Sequence, residues 1–274
     1  MDKRDTMRSR RVKAEPKGVL HPSVAREKIV LDRILPSSDL APFVELYWSS
    51  AWDLRGQPPY QQRLLGYPCV HLVFDRRRPG VFGVPRGAFV AELSDRGSVL
   101  GVRFRPGGFR PWLGADVSTI TDQVIPFTRW LAGDEVALSE EVLAIEPLEA
   151  RIAHAEKLLR AARPEPDPTV DVVHDVVARI ESDASIQRVD DAARVAGLGL
   201  RDLQRLFRSY VGVSPKWVIR RARLQEAAFR LASGKSVNLA TLAQDLGYFD
   251  QAHLTRDFTR LVGRSPASYR NDEA

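Results

Sequence analysis

The chain repeats one motif in its last third: residues 189–220 read VDDAARVAGLGLRDLQRLFRSYVGVSPKWVIR, and residues 239–270 read LATLAQDLGYFDQAHLTRDFTRLVGRSPASYR. Gly197 matches Gly247 at a shift of 50 residues. Further along, the shift is 51: Leu203, Arg205, Phe207, Gly212, Ser214 and Pro215 match Leu254, Arg256, Phe258, Gly263, Ser265 and Pro266. The second copy therefore has one additional residue in its turn.

Each copy has the pattern of a short helix, a glycine turn and a longer helix with arginine on one face. Gly197 and Gly247 stand where the chain must turn and where a side chain would obstruct it. This pattern is typical of a helix-turn-helix unit, which places its second helix in the major groove of DNA. Two units in one chain predict a monomer that reads two successive grooves.

The second helix of each unit has an apolar face and a polar face. In the first copy Leu203, Leu206, Phe207 and Tyr210 are expected to pack inward. Base-edge contacts are predicted for Arg201, Gln204 and Arg205 in the first copy and for Gln251, His253, Thr255 and Arg256 in the second, because planar Arg and Gln groups match guanine and adenine edges. Asp250 is predicted to cap the second recognition helix.

Phosphate contacts are predicted for five further cations: Arg208, Lys216, Arg220, Arg221 and Arg223. The alternative interpretation is that these five side chains are solvated charges on an exposed helix surface. The net charge of the chain is +6, and residues 188–270 have 15 Lys or Arg against 7 Asp or Glu, so the rest carries about −2. A positive charge concentrated on the repeated segment is expected if that segment neutralises phosphates.

Three stretches of this region resemble the DNA-binding domain of AraC/XylS-type transcriptional regulators: GVSP at 212–215, ARL at 222–224 and GYFDQAHLTRDFTRLVGRSPASYR at 247–270. The resemblance covers residues 168–270. It implies a seven-helix domain with two helix-turn-helix units, and base or backbone contacts from Arg201, Gln204, Arg205, Gln251, Thr255 and Arg256. Gly199 departs from the usual Ser or Thr cap, and Ala192 departs from the usual Leu.

Residues 30–115 contain short runs rich in β-branched and aromatic residues, broken by Gly and Pro, which predict an antiparallel sheet or small barrel. The predicted strands are 43–52, 63–74, 80–84, 87–93 and 99–106. Helical spacing follows, with an apolar stripe at Leu148, Ile152, Ala155, Leu159 and Ala162. This stripe fits packing on the chain's own sheet or pairing in a dimer.

The fold class predicted is therefore α+β: a mostly antiparallel β domain with trailing helices, then an all-α domain. The predicted divisions are a disordered basic tail (1–18), a sensor or dimerisation domain (19–163), a proline-rich linker (164–168) and the DNA-binding domain (169–274). LLGYPCVHLVF (64–74), GVRFRPGGFRPWLG (101–114) and ITDQ (120–123) are similar to an uncharacterised domain found ahead of such DNA-binding modules, which implies a sensor or dimerisation role.

No catalytic group is predicted. The single cysteine, Cys69, excludes an internal disulfide framework and a multi-cysteine zinc site. None of the five histidines stands at metal-ligand spacing, so we predict neither a metal nor a cofactor. The aromatic residues of the β domain fit a core or an apolar pocket. If there is a pocket, Trp48, Arg63, His71 and Arg103 are its candidate groups.

These observations favour a sequence-specific transcription regulator whose N-terminal domain modulates DNA binding. Its expected partner is double-stranded DNA, and candidate partners are RNA polymerase, a small-molecule effector and a second copy of the chain. No apolar run is long enough to span a membrane and no secretory signal stands at the start, so we expect a cytoplasmic protein. The alternatives are an enzyme or ligand-binding protein tethered to DNA, and a non-specific architectural binder.

Overall fold

The computed structural model describes residues 10–12, 18–233 and 237–273. Eight strands lie in the N-terminal half of these residues. In chain order they are β1 (Val30–Ile34), β2 (Val44–Asp53), β3 (Tyr60–Leu65), β4 (His71–Phe74), β5 (Gly80–Phe82), β6 (Ala88–Leu93), β7 (Arg96–Phe104) and β8 (Val124–Ile125).

Six of these strands form one antiparallel sheet with the order β1-β2-β7-β4-β5-β8, and β3 pairs with β6 in a second, two-stranded sheet. The predicted antiparallel sheet is confirmed. The single strand predicted over residues 63–74 is wrong, since this stretch is divided between β3 and β4 in different sheets. Gly66 lies so close to Pro85 that a Cβ there would be 2.5 Å from Pro85 Cγ, and Pro68 has no backbone N–H to donate.

Among the described residues, four α-helices accompany the sheets: α1 (Pro22–Lys28), α2 (Arg110–Leu113), α3 (Glu135–Ala144) and α4 (Leu148–Ala161). Ile152, Ala155 and Leu159 on α4 are buried in one core with Phe74, Phe104 and other residues of the large sheet. The apolar stripe therefore packs on its own domain, so the dimer alternative for this stripe is wrong. Val70, Leu72 and Phe74 alternate into the same core, as their spacing predicts.

Part of the predicted disordered tail is ordered. Within residues 10–12, Arg10 Nε donates to the Leu35 carbonyl oxygen at 2.7 Å, and its Nη2 lies 2.5 Å from Glu156 Oε1. Residues 1–9 and 13–17 lie outside the described residues. The prediction fails at Arg10 because a charged residue in a polar stretch can still pair with a buried carboxylate from a distant helix.

Seven helices follow in the described residues: α5 (Thr169–Ser182), α6 (Val189–Ala196), α7 (Leu200–Tyr210), α8 (Pro215–Ala232), α9 (Leu239–Asp245), α10 (Gln251–Val262) and α11 (Pro266–Glu273). Their number is the one that the family resemblance implies. Residues 163–168, between α4 and α5, have no regular structure. Asp167 nevertheless accepts a hydrogen bond from the Tyr210 hydroxyl at 2.6 Å, so this connection is held against α7.

The linking helix α8 belongs to two hydrophobic cores. Val218 and Ile219, near its start, are buried with Leu203 and Phe207 of α7. Leu224 and Leu231, further along, are buried with α9 and α10. At about 1.5 Å per residue the 18 residues of α8 span about 27 Å. One continuous helix therefore sets the separation of the two helix-turn-helix units. Of the helices described, none is both long and apolar enough to cross a bilayer.

Candidate nucleic-acid interface

The first recognition helix is α7, and its polar face is open to solvent. Gly197 turns the chain ahead of it with a φ of 64°, and Leu203 and Phe207 anchor it with 0% exposure. The exposed side chains of the opposite face are Arg201, Gln204, Arg205 and Arg208. Gly199, at the N-cap, supplies no side-chain hydrogen bond, because it has no side chain.

The second recognition helix, α10, repeats this geometry and adds a cap. Asp250 Oδ1 accepts a hydrogen bond from the backbone N–H of His253 at 2.7 Å. This bond satisfies one of the free donors at the helix start. Leu254 and Phe258 are fully buried, while Gln251, His253 and Arg256 are exposed and Thr255 is half-buried. The predicted base-edge candidates thus lie on the outer faces of both recognition helices.

The five predicted phosphate contacts have different environments. Lys216 and Arg208 are exposed, although Arg208 Nε lies 3.6 Å from Asp116 Oδ2. Arg220 forms an ion pair with Asp257 at 2.8 Å. Arg223 is half-buried and donates to the Gln187 and Gly247 carbonyl oxygens at 2.5 and 3.4 Å, and its burial lowers its pKa.

The environment of Arg221 contradicts the prediction that this residue contacts a phosphate. Its side chain is 2% exposed and forms an ion pair with Glu181 of α5, so it does not reach a phosphate in this structure. The guanidinium also lies over the ring of Tyr67, 4.5 Å from the ring centroid, and Arg103 of β7 lies over the same ring at 4.3 Å. Such cation–π contacts stabilise the approach of the two domains. Arg221 is therefore part of the interface between the domains.

The N-terminal domain holds the C-terminal end of each recognition helix. Thr121 Oγ1 donates to the Gly212 carbonyl oxygen at 2.7 Å, and Arg63 Nη1 donates to the Val262 carbonyl oxygen at 3.4 Å. The two acceptors occupy neighbouring positions in the repeat, since Gly212 matches Gly263. The same domain thus contacts the C-terminal turn of both units, which sequence analysis did not predict.

The four candidate pocket residues do not share one pocket. Trp48 Nε1 donates to His71 Nδ1 at 3.1 Å, and Cys69 Sγ lies 3.6 Å from His71 Nε2. Arg63 contacts Val262 instead, so the prediction that it shares a pocket with Trp48 and His71 is wrong. Arg103 lines a cleft between the domains, described below. No signal in the sequence marked this cleft, because its walls come from both domains.

The interdomain cleft has a volume of about 740 Å³. Its walls include Tyr67 and Arg103 from the N-terminal domain and Ile219, Ala222 and Arg223 from α8. The walls also include Arg33, Arg230 and the carboxylates of Glu181, Asp183 and Glu226, so the cleft combines apolar surface with groups of both charges at the junction of the domains. Within the residues that the structure describes, no three His, Cys, Asp or Glu side chains are grouped so that they could hold a metal ion.

The fold and the two exposed helices define a two-domain protein whose C-terminal domain is a tandem helix-turn-helix DNA-binding domain. A family described as a helix-turn-helix domain matches residues 192–272, and a domain of unknown function (DUF6597) matches residues 32–126. The regulatory protein SoxS of Escherichia coli K12 is 31% identical over 101 residues, which are 36% of this chain and 94% of SoxS. The chain belongs to the AraC/XylS family of transcriptional regulators.

Two further similarities concern the DNA-binding domain. An uncharacterized HTH-type transcriptional regulator of Haemophilus influenzae is 28% identical over 95 residues, which are 35% of this chain. The chain spans about a third of the length of that relative, 32%. The crystal structure of an AraC-type transcriptional regulator from Chromobacterium violaceum has a TM-score of 0.35 and 23% identity, covering 38% of this chain and 93% of its own.

The environment of His71 predicts acid sensitivity of the N-terminal domain. Burial, with a smaller contribution from the charge of Arg103, lowers the pKa of His71 to about 3, whereas an unfolded His titrates near 6.5. Below pH 6.5 the unfolded chain therefore binds a proton that the folded chain does not. The free energy of unfolding should fall between about pH 6.5 and pH 3, by up to about 1.4 kcal/mol per pH unit from this group.

Urea denaturation at a series of pH values, followed by tryptophan fluorescence, checks this expectation. His71→Gln keeps an acceptor for Trp48 and does not titrate, so its stability should depend less steeply on pH over that range. Equal slopes for the two proteins would contradict a His71 that stays neutral in the folded protein.

Proposed function

We propose that this protein is a sequence-specific transcription regulator that reads two successive major grooves with α7 and α10. The observation that carries the proposal is that α7 and α10 both present exposed polar faces while one continuous helix, α8, joins them. The two halves of α8 belong to separate cores, one with each recognition helix. A recognition helix contacts base edges with its N-terminal residues, and these are the residues exposed on α7 and α10. We propose that it acts in the cytoplasm, on chromosomal DNA.

Sequence specificity distinguishes this proposal from non-specific binding. Selection from random DNA should yield an asymmetric site of about 17–20 base pairs, with two contact patches about one helical turn apart. Because Arg256 is exposed on α10, it is the candidate for bidentate contact with a guanine edge. A protein that showed strong salt dependence with no sequence preference would be an architectural binder instead.

Arg256→Ala should weaken binding to the selected site by roughly 1–3 kcal/mol and relax the preference at one base pair. Fluorescence anisotropy with the selected site and with each single-base variant measures both effects. Arg179→Ala is the matched control, because Arg179 is exposed on α5, outside both recognition helices, and should leave affinity and preference unchanged. Equal weakening on random and selected DNA would show that Arg256 does not read a base.

The N-terminal domain supports regulation through contacts with both helix-turn-helix units. Thr121 and Arg63 bind carbonyl oxygens at the ends of α7 and α10, at the opposite end from the candidate base contacts. They leave the reading faces open and restrict how the two units move relative to each other. Restriction before binding lowers the entropic cost of binding both grooves together. The N-terminal domain can thus modulate affinity through these contacts.

Thr121→Val tests this role, since it removes the hydroxyl donor while keeping the branched shape. We expect several-fold weaker binding to the full site, and unchanged binding to a half-site that engages one groove only. Thr119→Val is the matched control: Thr119 donates to Asp116 within the N-terminal domain and is exposed. If Thr121→Val bound the full site as tightly as wild type, coupling through this contact would be excluded.

We further propose that a small-molecule effector binds in the interdomain cleft. A ligand there would contact Tyr67 and Arg103 on one side and α8 on the other, so its affinity would depend on how the domains approach each other. We also propose RNA polymerase and a second copy of the chain as candidate partners of the whole protein.

Ala222→Trp, which places a large side chain in the cleft, tests the effector site. A compound that changes the DNA affinity of the wild type should have no effect on this variant, while Ala222→Ser should respond as the wild type does. Anisotropy titrations with and without each compound, on variants with wild-type thermal stability, provide the measurement. An effector response that survives in Ala222→Trp would place the site elsewhere.

A further inference from the structure

Phe249 lies in solvent at the turn of the second helix-turn-helix unit. Its exposure is 92%, and the next most exposed large apolar residue in the described chain, Val30, is at 68%. Exposed apolar residues are common singly, so exposure alone has no implication. The exposure of Phe249 becomes informative because of its position in the repeat and its location beside the recognition helix.

Phe249 is the residue by which the second turn exceeds the first. In the first unit a single residue, Leu198, separates Gly197 from the N-cap Gly199; in the second, two residues separate Gly247 from the N-cap Asp250. Leu198 packs against the first core and Tyr248 is buried in the second, so these two residues have the same structural role. The additional residue contributes nothing to the core.

Phe249 also lacks the packing contact that an apolar residue before a helix N-cap usually makes. The residue before an N-cap often packs on the fourth helical residue, which fixes the angle at which the chain enters the helix. Here that fourth residue is Leu254, which is fully buried, while Phe249 remains almost wholly exposed. Phe249 therefore does not stabilise the helix start by packing.

The surroundings of Phe249 favour DNA over a protein partner. It precedes the end of α10 that carries the candidate base contacts, and its exposed neighbours Asp250, Gln251 and His253 are polar. A stable protein interface buries about 800 Å² on each side around an apolar centre, which one ring among polar residues does not provide. In the major groove, the apolar group within reach of such a ring is the 5-methyl group of thymine.

We propose that Phe249 reads a thymine by packing against its 5-methyl group, beside the base pairs contacted by α10. This inference rests on the proposed function, because it requires that α10 enter the major groove. It adds an apolar preference to the polar contacts of Gln251 and Arg256. It also assigns a role to the additional residue that distinguishes the second unit from the first.

The test replaces each thymine of the selected site in turn with deoxyuridine, which lacks only the 5-methyl group. At one position, wild-type affinity should fall about fourfold, the effect of losing one buried methyl group. Phe249→Ala should bind the thymine site about as weakly as the wild type binds that uracil site, and should not respond to the replacement. Its thermal stability should be unchanged, because the ring packs on nothing within the described chain.

Phe229→Ala is the control for loss of an exposed phenylalanine, since Phe229 lies on α8 with 47% exposure. It should retain the full response to deoxyuridine. The proposal is overturned if no replacement affects the wild type, or if Phe249→Ala responds as the wild type does. Loss of promoter activation by Phe249→Ala with unchanged DNA affinity would also overturn it, in favour of a protein contact. A wild type that selects no site at all would instead contradict the proposed function.

Discussion

Two constraints set the arrangement of the recognition helices: the continuous helix α8 joins their units, and a single domain binds the C-terminal end of each. A buried hydroxyl at Thr121 and a guanidinium at Arg63 contact backbone carbonyls that occupy neighbouring positions in the repeat. Helix C-terminal carbonyls carry partial negative charge, so donors and cations are stabilising there. Together with α8, these contacts define the separation and direction of two helices whose cores are otherwise independent.

The basic charge of the C-terminal domain is divided between two roles. Arg201 and Arg256 are exposed, as a DNA-reading surface requires, and Arg205 is exposed but pairs with Asp202 of the same helix at 2.8 Å. Arg221 is buried against Glu181 and Tyr67, and Arg223 donates to backbone carbonyls, so both contribute to packing and domain contact. The net charge of a segment therefore overstates the charge available to phosphates, because a count does not distinguish paired guanidinium groups from free ones.

Local signals predicted the parts of the structure that local forces determine. The helix-turn-helix units follow from apolar spacing, the turn glycines and the cap at Asp250, all within about 30 residues of sequence. The contacts between the domains join residues 91 and 199 positions apart, and no periodicity records such pairs. The break between β3 and β4 was missed for a related reason: a continuous apolar run does not show which sheet each part joins.

The two units also differ in what stabilises their recognition helices. This difference indicates which unit responds more strongly to a change in the N-terminal domain. The first helix begins at Gly199 without a side-chain cap, whereas the second has Asp250. The N-terminal domain contacts both units: it contributes Val84 to the first core and Leu20 and Leu65 to the second, and Thr121 and Arg63 bind the two C-terminal turns. A change in that domain would therefore reach both units, but the first recognition helix has no side-chain cap of its own to oppose it. The first unit is therefore the one through which the N-terminal domain would alter DNA binding most strongly.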